Sequence, residues 1–255
     1  MSTEPFATPT TRDVVRVCGV DAASFLQGQL SQDLDALAVG TSTWTFVLQP
    51  QGKVDGWARI TRTAAECFCL DTDAGHGEAL ETRLNRFKLR VKVDIERFSE
   101  PAVHVRGEHA PRDDHLPDGV LRLPVVGPGV NGYDLLGTAD APAGVSVADD
   151  ERFEAHRIAH GVPAMGRELD EDTIPAEVGH WIIDCSVSFT KGCFVGQELV
   201  ARIDSRGGNV PRHLRVLTLA APVKPGAAVE SDGPPAMVTS AATSEDHGPI
   251  ALAYL

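Results

Sequence analysis

The stretch from residue 43 to 95 restricts the fold most. Three runs of strand-like composition, TWTFVL, VDGWARI and ECFCLD, are separated by turn-rich QPQGK and by polar TRTA, a pattern that predicts an antiparallel meander. In the middle run Val54, Ala58 and Ile60 fall on one face and Asp55, Trp57 and Arg59 on the other, because successive strand residues alternate sides. The next segment, EALETRLNRFKLR, places Leu80, Leu84 and Phe87 at helical spacing with Arg83 and Arg86 between them, and VKVDI returns to alternation. A one-sided sheet needs an apolar cover, and the helix that follows supplies it, which gives a small α+β module of about 55 residues.

Elsewhere the pattern is sparser. DAASFLQGQLSQDL predicts a short helix with Asp21 as N-cap and Ala22, Phe25, Leu26 and Leu30 toward one side. From 107 to 149 the chain is rich in proline, glycine and aspartate, and only LRLPVV and YDLLG read as strands, so a domain crossing is expected there. Asp149 and Asp150 precede a second helix over ERFEAHRIAH, with Gly161 as its stop. After SRGGNVPR, the short apolar runs LRVLTL, AMVTSAA and IALAYL mark a small antiparallel sheet or barrel. The chain ends within the last of these runs, so an incomplete final module is expected. There is no internal repeat and no low-complexity tract.

The chain has 255 residues, enough for one large domain or two to three small ones. No apolar run approaches the roughly 20 residues that cross a bilayer. The start, MSTEPFATPTTRD, lacks basic and apolar signal regions and reads as a loose polar arm, so a cytoplasmic location and no membrane partner are expected. A net charge of −13 argues against direct, sequence-independent nucleic-acid binding, which lysine and arginine drive by displacing counterions. The cysteines at 18, 67, 69, 185 and 193 form no paired CxxC spacing, and free thiols are expected. Cys67 and Cys69 share a strand face about 7 Å apart, with no further ligand nearby to complete a metal set. No metal site is therefore assigned, and the scattered histidines receive no role.

The densest chemistry lies in KGCFVGQELVAR, residues 191–202. Leu199, Val200 and Ile203 form the apolar side of a helix starting near Gly196, and Glu198 sits in the first turn, where the helix dipole favours a carboxylate. Two readings of Cys193 stand side by side. Near a helix N-terminus and Lys191 its thiolate would be favoured and reactive; alternatively, Gly192 and Gly196 shape a tight connection around a small buried hydrophobe.

The run FTKGCFVGQELVARIDSRGG resembles the K-G-C-[FY]-x-G-Q-E signature of the YgfZ/GcvT-like folate-binding family, relatives of the glycine-cleavage aminomethyltransferase. GVDAASFLQGQLSQDL, LQPQGKVDGWARI, RLNRFKLRVKV and HGVPAMGRELDEDTIPAEVG resemble other family segments in the expected order. The resemblance implies an α+β cloverleaf of three modules around a central channel, two ferredoxin-like and one a small C-terminal β-barrel. The boundaries expected are residues 1–42 with 118–205 for the module carrying the signature, 43–117 for the second and 206–255 for the barrel. It also implies a tetrahydrofolate or one-carbon derivative as cofactor, and work with iron–sulfur proteins or their assembly factors that supports tRNA modification. Cys193 becomes the functional thiol, and Lys191, Arg212, Arg202, Gln197 and Glu198 become the cofactor-binding candidates, with Arg206 nearby.

Two departures from the aminomethyltransferase pattern matter. The RLEAG-like stretch reads RIAHG, with Ala159 where a pterin-binding glutamate is expected; Glu154 and Glu177 are the candidate substitutes. GKVDGW keeps Asp55 but puts Gly56 where the catalytic aspartate belongs, so aminomethyl transfer loses its acid/base partner. The alternatives are a true folate-dependent one-carbon transferase and a folate-free interaction scaffold.

Overall fold

The computed structural model describes residues 4–112, 115–230 and 235–255. Its elements in chain order are β1 (Phe6–Cys18), α1 (Ala22–Gln29), β2 (Ser42–Leu48), β3 (Val54–Ala64), β4 (Cys67–Asp73), α2 (Gly77–Arg86), β5 (Asp94–Arg106), β6 (Leu121–Pro124), β7 (Gly132–Leu136) and β8 (Ser146–Val147). The chain continues with α3 (Asp150–Ala159), α4 (His180–Ser186), α5 (Gln197–Ser205), β9 (Leu214–Thr218), β10 (Ala228–Val229), β11 (Ala236–Ser244) and β12 (Gly248–Tyr254). No described helix is long and apolar enough to cross a membrane.

The chain divides into two compact units. One, called the signature unit here, comprises Arg12–Ser99 and Leu169–Pro211; the other, the C-terminal unit, comprises Met1–Thr11, Glu100–Glu168 and Arg212–Leu255.

In the signature unit β2, β3, β4 and β1 pair in that order, all antiparallel. Period-two alternation sorts most strand residues as expected, but a bulge at Asp55 breaks it: Val54 is not part of the cluster with Ala58 and Ile60, and Asp55 pairs with Arg83 of α2. Val47, Ala58, Ile60, Phe68, Leu70, Val15 and Val17 bury against Phe25 and Leu26 of α1 and Leu80 and Leu84 of α2. Trp44, Trp57 and Arg59 alternate with these residues along their strands. Arg59, 0% exposed, holds Asp71 through two nitrogens, and Arg12 adds a third contact to the same carboxylate. Burying that carboxylate is tolerable because charged donors neutralise it. Trp44 stacks on Trp57 at 4.1 Å between ring centroids, and Trp57 Nε1 donates to Ser186 Oγ on α4 at 2.9 Å.

In the C-terminal unit β5, β7 and β6 pair antiparallel, and β8 runs parallel to the first residues of β1. Ala7, Val103, Val105, Tyr133, Leu135 and Val145 form the core there. A separate sheet, β10-β11-β12-β9, receives α3 on β11 and β12. Arg157 of α3 ties this packing: its guanidinium donates to Glu154, to Glu168, to the Val162 carbonyl and to Ser240 of β11.

Several expectations need correction. The N-terminal segment from Phe6 is strand rather than loose arm, since Phe6, Ala7 and Thr8 are buried; residues 1–3 lie outside the described residues. Helix α2 stops at Arg86 and β5 begins only at Asp94, so FKLRVKV is irregular. The helix α4 carried no sequence signal. Cys18 and Cys67 are not free thiols but a disulfide: they face each other across β1 and β4 with Cα atoms 4.2 Å apart. Gly19 N donates to the Glu66 carbonyl, so the 18–67 pair is a non-hydrogen-bonded one, where opposed side chains approach most closely. Cys69, Cys185 and Cys193 stay outside the disulfide, as expected.

Candidate functional site

The signature loop lies within one unit, and most of its residues have identifiable structural contacts. Lys191 sends its ammonium into three backbone carbonyls, those of Gln27 and Leu30 at 2.7 Å and Gln32 at 2.9 Å. These groups lie at and just beyond the C-terminal end of α1, where unpaired carbonyls attract a cation. All three ammonium protons are thereby used. Burial pushes the Lys191 pKa down to about 8, against the opposing pull of Asp33 and Asp35. Phe194 lies beneath the ammonium, 5.3 Å from nitrogen to ring centroid.

Gly196 caps α5 at φ 83°, a left-handed conformation. A Cβ there would meet the Gln49 carbonyl at 2.5 Å and Leu48 Cβ at 2.7 Å. Across the contact Gly52, also at φ 83°, faces Leu199 Cβ at 2.5 Å. The signature therefore docks its backbone on the β2–β3 turn, and a side chain at either position would force them apart. Gln197 closes the loop: its Oε1 accepts from Phe194 N, while its own N donates to the Phe194 carbonyl. Val195 N donates to the Gly28 carbonyl.

Gly192, Cys193 and Glu198 remain exposed. No atom lies within 4 Å of a Cβ built on Gly192. Cys193 is thus not the small buried hydrophobe of the second reading. Its thiol is open to solvent, four residues before the first residue of α5.

Of the cation candidates, Arg202 sits exposed in the last turn of α5, with Arg206 exposed just beyond. Arg212 belongs to the C-terminal unit, its guanidinium stacked 4.2 Å over the Tyr254 ring. The structure brings Lys191, Cys193, Gln197, Glu198 and Arg202 onto one loop and helix. Of the two candidate substitutes for the missing glutamate, Glu154 is held by Arg157 and Arg167, and Glu177 is buried with its carboxylate accepting from Ile174 N.

Asp55 is the extra residue of a β-bulge, since Val47 pairs with Gly56 and Leu48 with Val54. It salt-bridges Arg83 of α2 at 3.0 Å. A side chain at Gly56 would point toward Leu80 and Val47, each 3.9 Å from its Cβ, and so toward the apolar helix side. Ala159 lines a pocket of about 250 Å³ in the C-terminal unit together with Phe6, Arg152, His156 and His160. Burial, followed by the nearby His160, Arg106 and Arg152, pushes the His156 pKa down to about 3. Sequence reasoning missed this histidine pair, and it placed Trp57 and Arg59 on one face without the Trp44 stack or the buried Arg59–Asp71 pair. The only available signals were the i, i+4 spacing of His156 and His160 and the alternation of Trp57 and Arg59 with apolar residues.

No family model matches the chain. In fold it is an α+β protein of the aminomethyltransferase T type: it superimposes on glycine cleavage system aminomethyltransferase T from Bartonella henselae with a TM-score of 0.76 over 99% of this chain and 79% of that one, at 18% identity. By sequence it is 29% identical to the mitochondrial iron–sulfur cluster assembly factor IBA57 of Mus musculus, over 93% of this chain and 71% of that protein. It is also 26% identical to the tRNA-modifying protein YgfZ of Photobacterium profundum, over 77% of this chain and 64% of that one. These relatives and this fold support the resemblance to the YgfZ/GcvT-like family.

Proposed function

We propose that the chain is an accessory protein of iron–sulfur cluster assembly or repair, indirectly supporting tRNA modification, and that Cys193 is the thiol through which it acts. One observation carries this reading. Lys191, Gly196 and Gln197 hold the loop in place, while Cys193 is left exposed with no packing role to explain its side chain. The names of the IBA57 and YgfZ relatives supply the process. The proposal includes the three-module cloverleaf with the boundaries given above, iron–sulfur proteins or their assembly factors as partners, and a cytoplasmic location.

A tetrahydrofolate fits these residues unevenly. Its glutamyl carboxylates need cations, and Arg202 and Arg206 are exposed, with Arg212 the further candidate. Lys191 has no donor left to give, and Gln197 and Glu198 offer the ligand less than expected, the first being engaged in its own loop. Its pterin amine needs a carboxylate, and Ala159 stands where the family places one. Folate binding through the tail is therefore part of the proposal; aminomethyl transfer is not, because Gly56 supplies no acid or base. The scaffold reading is favoured by the same Ala159 together with the engagement of Glu154 by two arginines.

Two experiments test this. In a strain lacking its own copy, the chain is expected to restore iron–sulfur enzyme activity and Cys193→Ala to lose at least about tenfold of it at unchanged melting temperature; full restoration by the variant removes the thiol from the account. Calorimetry with tetrahydrofolate separates the folate-binding reading from the scaffold, for which no heat appears at sub-millimolar ligand.

A further inference from the structure

The segment RFKLRVK, between α2 and β5, contradicts the charge of the chain around it. Within a protein of net charge −13 it carries Arg86, Lys88, Arg90 and Lys92 in seven residues. None of these four side chains has an ion-pair or hydrogen-bond partner among the described residues, and Arg86, Arg90 and Lys92 are exposed. Among the nearby acids, Glu81 pairs with Arg97 and Glu96 with Arg16, while the Asp21 carboxylate accepts from the backbone N–H of Lys92 and not from its ammonium.

The same segment displays an apolar residue. Leu89 is 77% exposed, the most exposed large hydrophobic side chain among the described residues. Beside it Arg90 adopts φ 59°, the only positive φ of a described non-glycine residue. That conformation is disfavoured for a side chain as long as arginine, and such outliers gather where a surface is shaped for contact. The strand end at Gly19–Asp21 lies against Lys92 through Lys92 N to Asp21 Oδ2 at 2.7 Å, and it carries Val20, 63% exposed.

We propose that this loop is a docking surface for an acidic protein, whose carboxylates meet the four cations around an apolar pocket that takes Leu89. Charge complementarity and a desolvated apolar centre ringed by arginine are the ordinary composition of a protein interface. RNA fits the surface less well. Single-stranded RNA is gripped by stacking on aromatic faces, and the aromatic here, Phe87, is covered by Arg83 at 4.0 Å. Phosphates would leave Leu89 in water, and the remaining net negative charge repels both nucleic acid and anionic lipid. The inference is independent of the folate and thiol assignments.

A photo-crosslinking benzophenone residue at position 89 tests it in the native host. The expected product is a nuclease-resistant adduct with one protein, acidic when identified by mass spectrometry. Titrating the two purified proteins should then give an affinity that weakens as salt rises from about 50 to about 300 mM. It should weaken about tenfold or more in the R86Q/K88Q/R90Q/K92Q variant, whose melting curve should match the parent because all four head groups lack partners. A nuclease-sensitive adduct, a lipid adduct, no adduct at all, or an affinity unchanged by the four substitutions would each overturn the proposal.

Discussion

Two glycines of one signature, four residues apart, separate structural need from function. Gly196→Ala combines a left-handed backbone with a Cβ at 2.5 Å from a carbonyl oxygen, and should destabilise by about 2–4 kcal/mol in denaturant titration. Gly192→Ala meets nothing within 4 Å and should change stability by less than about 0.5 kcal/mol. If Gly192→Ala nevertheless loses function, the loop beside Cys193 is under a functional demand. His156 is a second residue-scale case. Its folded pKa of about 3 lies below the ordinary 6.5, so below pH 6.5 the unfolded chain takes a proton that the folded one refuses. Stability is then full above pH 6.5 and is lost, at up to about 1.4 kcal/mol per pH unit, as pH falls toward 3. His156→Asn should flatten that slope in an acid-denaturation series. The position of His156 on a helix was legible in the sequence; its burial was not, because it depends on what packs beside it.

At the scale of elements, α3 is fastened by charge as well as by apolar area. Glu168 is 0% exposed and accepts from Arg157, Ala164 N, Thr239 and Ser240. Burial alone would push the Arg157 guanidinium down, and Glu154 and Glu168 push it up instead. Arg157→Met should cost about 3–5 kcal/mol because it strands a buried carboxylate, and Arg157→Met with Glu168→Gln should recover part of that in chemical denaturation. Helix α3 itself was readable from its caps: Asp149 accepts from Arg152 N, and Gly161 turns left-handed at φ 64°. The neighbouring α4 was not readable, since HWIIDCS is too short to display a helical period. The same limit explains why α2 looked longer than it is: Phe87 keeps the helical spacing, but the chain leaves the helix at Arg86.

At the scale of the molecule, the Cys18–Cys67 bridge closes a loop of 49 residues holding α1, β2 and β3. Reduction, or Cys18→Ser with Cys67→Ser, should lower stability by about 2–4 kcal/mol, read as a shift of the denaturation midpoint in dithiothreitol; an unchanged midpoint would mean that the bridge adds nothing. Periodicity was enough to point to an α+β class and to the meander with most of its two faces, because these depend on residues a few positions apart; the signature was found by its resemblance to a known family. Which cysteines pair, why Lys191 is saturated by carbonyls as far as 164 residues away in sequence, and why the Cys193 thiol is left open were decided by tertiary structure. Local pattern tells a residue which side of its own strand or helix it occupies. What stands opposite it depends on register and packing between distant segments, and no local period encodes that.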